Sequence, residues 1–191
     1  MPFPSRRLFL LASLLLAGCA STTIEQSGTP LAQPLCQTSH GLTVLWGPQW
    51  RPDQKEPPLR EAMAVRGIQA FVADLPCAQP VAIHRIDVSA FAKQPPTAQQ
   101  LLALAASQGA AADTVLQITL RELGPKLFIG IPSIVEGGTE VVLQTRVAQR
   151  DVPTLQADRH THWQKGGPFY IKGVKTLDQD MRSALQQALQ P

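Results

Sequence analysis

The sequence is poor in aromatic and charged residues: only 5% of its 191 residues are Phe, Trp or Tyr, and only 16% are charged. The charged share lies below the roughly 25% of an average soluble domain. Without the adjacent pair Arg6 and Arg7, 15 basic residues face 14 acidic ones, which leaves a net charge of +1. A nearly neutral chain without a basic cluster offers no electrostatic footprint for a nucleic acid, so we expect no nucleic-acid partner.

The sequence also lacks the common catalytic motifs. It contains no Gly-x-Ser-x-Gly elbow, no phosphate-binding loop and no His-Glu-x-x-His pair. Asp178 and Asp180 stand two positions apart on a predicted helix and diverge by about 200°, so they cannot form a carboxylate pair. The sequence therefore predicts a protein that is not an enzyme and needs no cofactor.

Two of the four histidines, His160 and His162, alternate along a predicted strand and so share one face of it. That face also carries Gln156, Asp158 and Gln164. A metal could use two histidines in this geometry, but the sequence offers no clear third ligand. We therefore expect a solvated strand face here rather than a metal site.

Long hydrophobic runs are missing as well, although 44% of the residues are apolar and can supply the core of one domain. The run from Leu8 to Ala17 spans ten residues, which is too short to cross a bilayer as a helix. It follows Arg6 and Arg7 and precedes small residues, the pattern of an export signal. The sequence predicts a signal peptide over residues 1–18.

The end of this segment, Leu16-Ala17-Gly18-Cys19, resembles the lipobox of bacterial lipoproteins at all four positions. The resemblance implies that the Cys19 thiol receives a diacylglycerol and that the new amino terminus is acylated after cleavage. Fatty acyl chains such as palmitate contribute about 0.8 kcal/mol per buried methylene, so they hold a protein on a bilayer without a transmembrane helix. The alternative is an ordinary signal peptide that contains a cysteine.

The residue after Cys19 is Ala20, whereas an aspartate there would favour retention in the inner membrane of enteric bacteria. This resemblance implies the periplasmic face of the cell outer membrane. The segment from Ser5 to Leu10 also resembles a twin-arginine export motif, while its Leu-rich core is typical of general secretion. Both export routes remain open.

Residues 19–35 follow as a lipidated terminus and a segment of Ser, Thr, Gln, Gly and Pro with almost no apolar periodicity, which predicts a flexible tether. Cys36 and Cys77 then stand 41 positions apart, and an oxidising periplasm favours a disulfide between them. Two unbonded buried thiols are the alternative. The spacing matches no zinc motif.

Residues 36–191 show alternating helical and strand patterns typical of one α/β domain. Leu42 to Trp46 predicts a first strand, Pro58 to Arg66 a helix ended by Gly67, and Ile68–Val72 and Val81–Val88 extended segments. Thr97 and Gln100 form a capping-box pattern for a second helix closed by Gly109.

Three strands and a helix complete the predicted domain. Strand patterns cover Thr114–Arg121, Thr139–Ala148 and Leu155–Trp163, and Thr176 is expected to cap a last helix with the apolar stripe Leu177, Met181, Ala184, Leu185 and Ala188. The predicted fold is a two-layer or three-layer α/β sandwich with a mixed sheet of about five strands and about three helices.

The unit from Gln99 to Leu120, a Leu/Ala-rich helix followed by Gly109-Ala110-Ala111-Ala112-Asp113 and an alternating strand, resembles that of periplasmic lipoproteins with the TolB N-terminal or CsgG fold. The strand beginning Gly137-Gly138-Thr139 and the last helix are similar to the auxiliary lipoproteins of ABC-type lipid transporters. Neither resemblance supplies a catalytic residue.

An apolar stretch between Gly124 and Gly138 is the feature most suggestive of function, because a hairpin turn usually needs only about two to five residues. Seventeen residues separate Arg121 from Thr139. We interpret the stretch as a partner-docking loop carrying Leu127, Phe128, Ile129, Ile131 and Ile134. The alternative is that it folds back as extra core.

Trp46 and Trp50 flank Gly47-Pro48 and form a candidate aromatic recognition surface, or else close one end of the sandwich. With the lipobox and the apolar stretch, they indicate a non-enzymatic interaction or assembly component of the envelope. Its partner would be an envelope protein or a second copy of the chain. A ligand-binding or lipid-transport accessory role is the alternative.

Overall fold

The protein is a mixed six-stranded sheet with helices on both faces, seen in a computed structural model that describes residues 20–36, 41–77, 80–110, 113–129, 135–168 and 170–190. The spatial strand order is β1-β6-β5-β4-β2-β3. The strands are β1 (Ser21–Thr29), β2 (Leu42–Pro48), β3 (Ala82–Arg85), β4 (Thr114–Ile129), β5 (Val135–Gln149) and β6 (Ala157–Pro168), and the helices are α1 (Pro57–Ala73), α2 (Ala98–Ser107) and α3 (Leu177–Ala188).

The α/β fold class is confirmed, with one strand more than expected. β2 pairs in parallel with β3 and β4, and the remaining pairs are antiparallel. Helices α1 and α3 pack with residues such as Leu116 and Val141 on one face, whereas α2 packs with Leu45 and Val115 on the other. The sandwich therefore has three layers where α2 covers the sheet.

Helix α1 runs seven residues beyond the predicted end at Arg66, so the expected extended segment at Ile68–Val72 is wrong. Ala64, Ile68 and Phe71 recur at helical spacing and are buried in the main core. Gly67 does not end the helix. A Cβ on Gly67 would lie 2.5 Å from the Cβ of Met181, so the glycine allows α1 and α3 to approach closely.

The expected flexible tether is also wrong where the structure describes it, because Ser21–Thr29 forms the edge strand β1. It pairs antiparallel with β6 from Ser21 opposite Gly166 to Thr29 opposite Asp158. All nine of its residues are exposed, so backbone pairing rather than apolar burial holds the strand. Because the strand is largely polar, its sequence shows no alternation of apolar and polar residues that would predict a strand.

Strands β4 and β5 form a longer hairpin than predicted, and the expected irregular stretch of seventeen residues is wrong. Pairing continues to Ile129 opposite Val135. The register shifts between Leu120 and Glu122, which makes Arg121 a bulge residue that disrupts the alternation. β2 accompanies β4 only as far as Leu120, so the outer part of β4 is an edge, where Pro125 is tolerated.

Helix α2 begins as predicted. The Thr97 hydroxyl accepts a hydrogen bond from the Gln100 N–H at 3.2 Å, and the Gln100 side chain accepts one from the Thr97 N–H at 2.8 Å. The expected cap of α3 differs, because the Thr176 hydroxyl donates to the Gly173 carbonyl oxygen instead.

Candidate functional site

The predicted disulfide is confirmed: Cys36 is bonded to Cys77, with their Cα atoms 5.0 Å apart. Cys36 follows β1, and Cys77 follows the end of α1. Leu31 and Leu35, also between β1 and β2, are buried in the main core. In the chain-entropy model a bridge across 41 positions contributes on the order of 3–4 kcal/mol. It fastens the segment after β1 to the domain.

The candidate aromatic surface is wrong for Trp46. Its side chain is 2% exposed and belongs to the core between the sheet and α1 and α3. Trp50 is half-buried and packs against the same cluster. These positions favour the alternative interpretation, in which the two rings close one end of the sandwich.

The candidate docking residues lie in a strand rather than in an irregular loop. Leu127, Phe128 and Ile129 form the end of β4 and pair with Gly137, Glu136 and Val135 of β5. Ile131 and Ile134 lie outside the described residues. The apolar segment is thus the outer end of a hairpin.

This end of the hairpin lies beside the start of β1. Ser21 is opposite Gly166 of β6, Gly166 is opposite Gly138 of β5, and Gly138 is opposite Lys126 of β4. β4 continues three residues past this row to Ile129, which at 3.3 Å per residue is about 10 Å. The register therefore brings the start of β1 and the apolar end of the hairpin to the same end of the sheet.

Glycines make the sheet compact at this end. A Cβ on Gly138 would lie 2.7 Å from the carbonyl oxygen of Lys165, and one on Gly166 would lie 2.5 Å from that of Gly137. The Tyr170 carbonyl lies against Gly137 on the chain leaving β6. Side chains at these positions would separate β5 from β6 or displace the chain that follows.

A buried ionic cluster, which was not predicted from the sequence, holds β4 just past Leu120, where its pairing with β2 ends. Glu122 is 8% exposed and accepts hydrogen bonds from Arg60 at 3.0 Å and from Gln54 at 2.9 Å. Arg60 also donates to the Leu123 carbonyl. The one signal in the sequence was Glu122 next to Leu120 and Leu123 in a strand pattern, because a buried charge requires partners.

The two strand histidines share one sheet face, as predicted, and the structure gives them different surroundings. His162 lies 3.3 Å from a Glu140 carboxylate oxygen and 2.6 Å from the Gln164 side-chain nitrogen. His160 is largely exposed, but its partial burial and, after that, the charge of Arg121 hold its pKa below the ordinary value of 6.5. Within the described ranges, no three His, Cys, Asp or Glu side chains form a group that could hold a metal ion.

Two open grooves lie on the surface of the domain. One, of about 540 Å³, lies between the carboxyl ends of α1 and α3. The other, of about 260 Å³, lies on the α2 side of the sheet and includes Arg121, Arg146, Asp158 and His160. In the part of the chain that is described, no helix has both the length and the apolar character needed to cross a membrane.

Solved structures with partial likeness to the chain share little sequence identity with it. No protein-family model matches the chain, and no curated protein matches it. Among solved structures, the PelC dodecamer from Paraburkholderia phytofirmans is 13% identical, with a TM-score of 0.47 over 90% of this chain and 99% of that one. A hypothetical protein from Chlamydia trachomatis is 12% identical, with a TM-score of 0.44 over 79% and 92% of the two chains. A DUF330 protein from Xanthomonas campestris is 16% identical, with a TM-score of 0.39 over 84% and 85%. At these identities and TM-scores, the likeness carries no conclusion about function.

Proposed function

We propose that the protein is a lipid-anchored, non-enzymatic interaction or assembly component of the outer membrane, on its periplasmic face. The lipobox at Leu16–Cys19 and the residue Ala20 support the anchor and its membrane. Acyl chains at Cys19 would hold the protein on the bilayer.

The observation that carries the proposal is the register at the outer end of the sheet. Cys19 precedes Ser21 by two residues, a reach of at most about 7 Å. Ser21 lies in the row of Gly166, Gly138 and Lys126, and the apolar end of the β4–β5 hairpin continues past that row. An anchor at Cys19 therefore keeps this hairpin end next to the bilayer surface.

The partner contact accordingly belongs at the membrane-facing end of the domain. Apolar residues exposed to water are costly unless they meet a core, a lipid surface or another protein. A partner that binds there is itself at the membrane surface, either an envelope protein or a second copy of this chain.

Photocrosslinking in intact cells tests this proposal. A photoreactive residue replacing Phe128 should give specific crosslinked species, whereas the same residue at Gln69, exposed on α1, should give none. Equal crosslinking at both positions, or none at Phe128, would contradict the docking role. Cys19→Ala should abolish acyl labelling and move the protein out of the membrane fraction, which tests the anchor separately.

The double variant Phe128→Asp with Ile131→Asp tests the same contact without a probe. It should abolish partner capture and leave the free energy of unfolding within about 0.5 kcal/mol of wild type, as for surface substitutions. A large loss of stability would show that the segment is part of the core.

A ligand-binding or lipid-transport accessory role is the second candidate, and the 540 Å³ groove favours it. Leu35, Phe71, Leu75 and Leu189 give the groove an apolar lining, a composition typical of small-molecule sites. In this case native mass spectrometry should detect a lipid bound to the purified protein, and Leu75→Asp should remove it.

A further inference from the structure

The 260 Å³ groove on the α2 side of the sheet lies where the third layer ends. Its floor is formed by β4, β5 and β6, and one wall is formed by the chain leading into α2, with Val88, Phe91 and Pro95. Helix α2 packs over β4 and β5 near Val115 and Ala148, and it does not cover Asp158 and His160 on β6. The groove therefore has an apolar wall and a polar floor.

The polar floor is fixed by a hydrogen-bonded chain of side chains. The Arg146 side chain is 6% exposed and donates to Asp158 at 3.1 Å and to Gln117 at 3.1 Å. The second carboxylate oxygen of Asp158 accepts from Gln144 at 2.7 Å. Arg146 and Asp158 thus neutralise each other, and both oxygens of Asp158 are already engaged.

Arg121 is the cation of the groove that Asp158 does not neutralise. It is the bulge residue of β4, and it lines the groove. Its side chain makes no hydrogen bond or ion pair with any residue in the described part of the chain. Bulges re-aim side chains and are frequent beside functional sites.

His160 lies on the same floor, and its pKa responds to the neighbouring charges. Its pKa is lowered first by burial, then by Arg121, and Arg146 adds to this against the opposing effect of Asp158. The groove therefore favours a neutral imidazole, which can donate one hydrogen bond to an anion beside the Arg121 guanidinium.

We propose that this groove binds a small molecule in which a carboxylate or phosphate group is joined to a flat apolar moiety. The anionic group lies between Arg121 and His160, and the apolar part lies against Phe91. Arg121 supplies the charge, the Arg146–Asp158 pair holds the floor in place, and the apolar wall contributes contact area.

The proposal is tested by calorimetry on the full chain in lipid nanodiscs, with four probes. Benzoate and phenyl phosphate carry both features, inorganic phosphate carries only the anion, and benzyl alcohol carries only the ring. We expect benzoate or phenyl phosphate to bind at least about 10-fold more tightly than benzyl alcohol, since charge-assisted hydrogen bonds to Arg are strong. Inorganic phosphate should bind more weakly than phenyl phosphate.

Two variants and one control locate the site. Arg121→Gln should weaken binding of the better anionic probe about 10-fold or more, and Phe91→Ala should weaken it several-fold. Arg66→Gln removes an exposed arginine from α1, on the other side of the sheet, and should leave binding unchanged. Equal binding by Arg121→Gln and wild type overturns the proposal, and so does equal binding of benzyl alcohol and the aromatic anions. The proposal also fails if neither benzoate nor phenyl phosphate binds.

Discussion

The two faces of the sheet differ in how far their apolar surface extends. On the face covered by α1 and α3, buried apolar residues continue from Val44 on β2 through Leu116 and Leu143 to Trp163 on β6. On the opposite face the apolar cluster is limited to the region of α2, and β5 and β6 present Gln144, Arg146, Asp158 and His160 instead.

This difference separates stability from recognition within one sheet. The first face supplies the large buried area that folding requires. The second face needs only a small cluster to hold α2, so its remaining positions can carry polar side chains. Gln144, Arg146 and Asp158 are hydrogen-bonded to one another there. Adjacent residues of one strand therefore serve different ends.

The largest expected effect comes from neighbours on β5 that point to opposite faces. Leu143 is 1% exposed in the main core, whereas Val142 is half-buried on the other face. Leu143→Ala should lower the free energy of unfolding by about 2–5 kcal/mol, because it leaves a cavity. Val142→Ala should cost about 1 kcal/mol or less. Urea unfolding with the disulfide intact measures both, and equal losses would contradict the division between the faces.

A smaller effect is expected where α1 crosses α3 above the main core. A Cβ on Gly67 would lie 2.5 Å from the Met181 Cβ and 2.7 Å from the Asp178 carbonyl oxygen, so Gly67→Ala should cost about 1–3 kcal/mol through overpacking. Gly173 has no atom within 4 Å of the equivalent position. Gly173→Ala is the matched control and should lie within about 0.5 kcal/mol of wild type. A neutral Gly67→Ala would mean that the helices are not packed this closely.

Local signals in the sequence predicted part of this structure well. The capping box of Thr97 and Gln100 and the alternation after Thr114 depend on neighbouring residues, and both are confirmed. Gly67 was wrongly predicted to end α1, because the reason for a glycine there is the close approach of Met181 on α3, which is distant in the sequence. β1 was missed because an exposed edge strand has no apolar face to reveal it.

The site was harder to predict for the same reason. The apolar segment can be read directly from the sequence, but its position beside the start of β1 depends on the register across β1, β6, β5 and β4. Arg121 and His160 are 39 positions apart. They line one groove only because β5 lies between their strands.

The smallest expected effect is the titration of His160 on the polar face. Burial lowers the pKa of this imidazole, and the Arg121 charge lowers it further, so the NMR midpoint should fall below 6.5. Arg121→Gln should raise the midpoint part of the way back, because burial remains, whereas Arg66→Gln should not move it. The unfolded chain binds the proton more tightly than the folded one. The stability contribution of His160 is therefore complete above about pH 6.5 and declines as the pH falls through the folded-state pKa. A midpoint that Arg121→Gln leaves unchanged would show that the guanidinium does not act on His160, and the two faces would then differ in polarity but not in local charge.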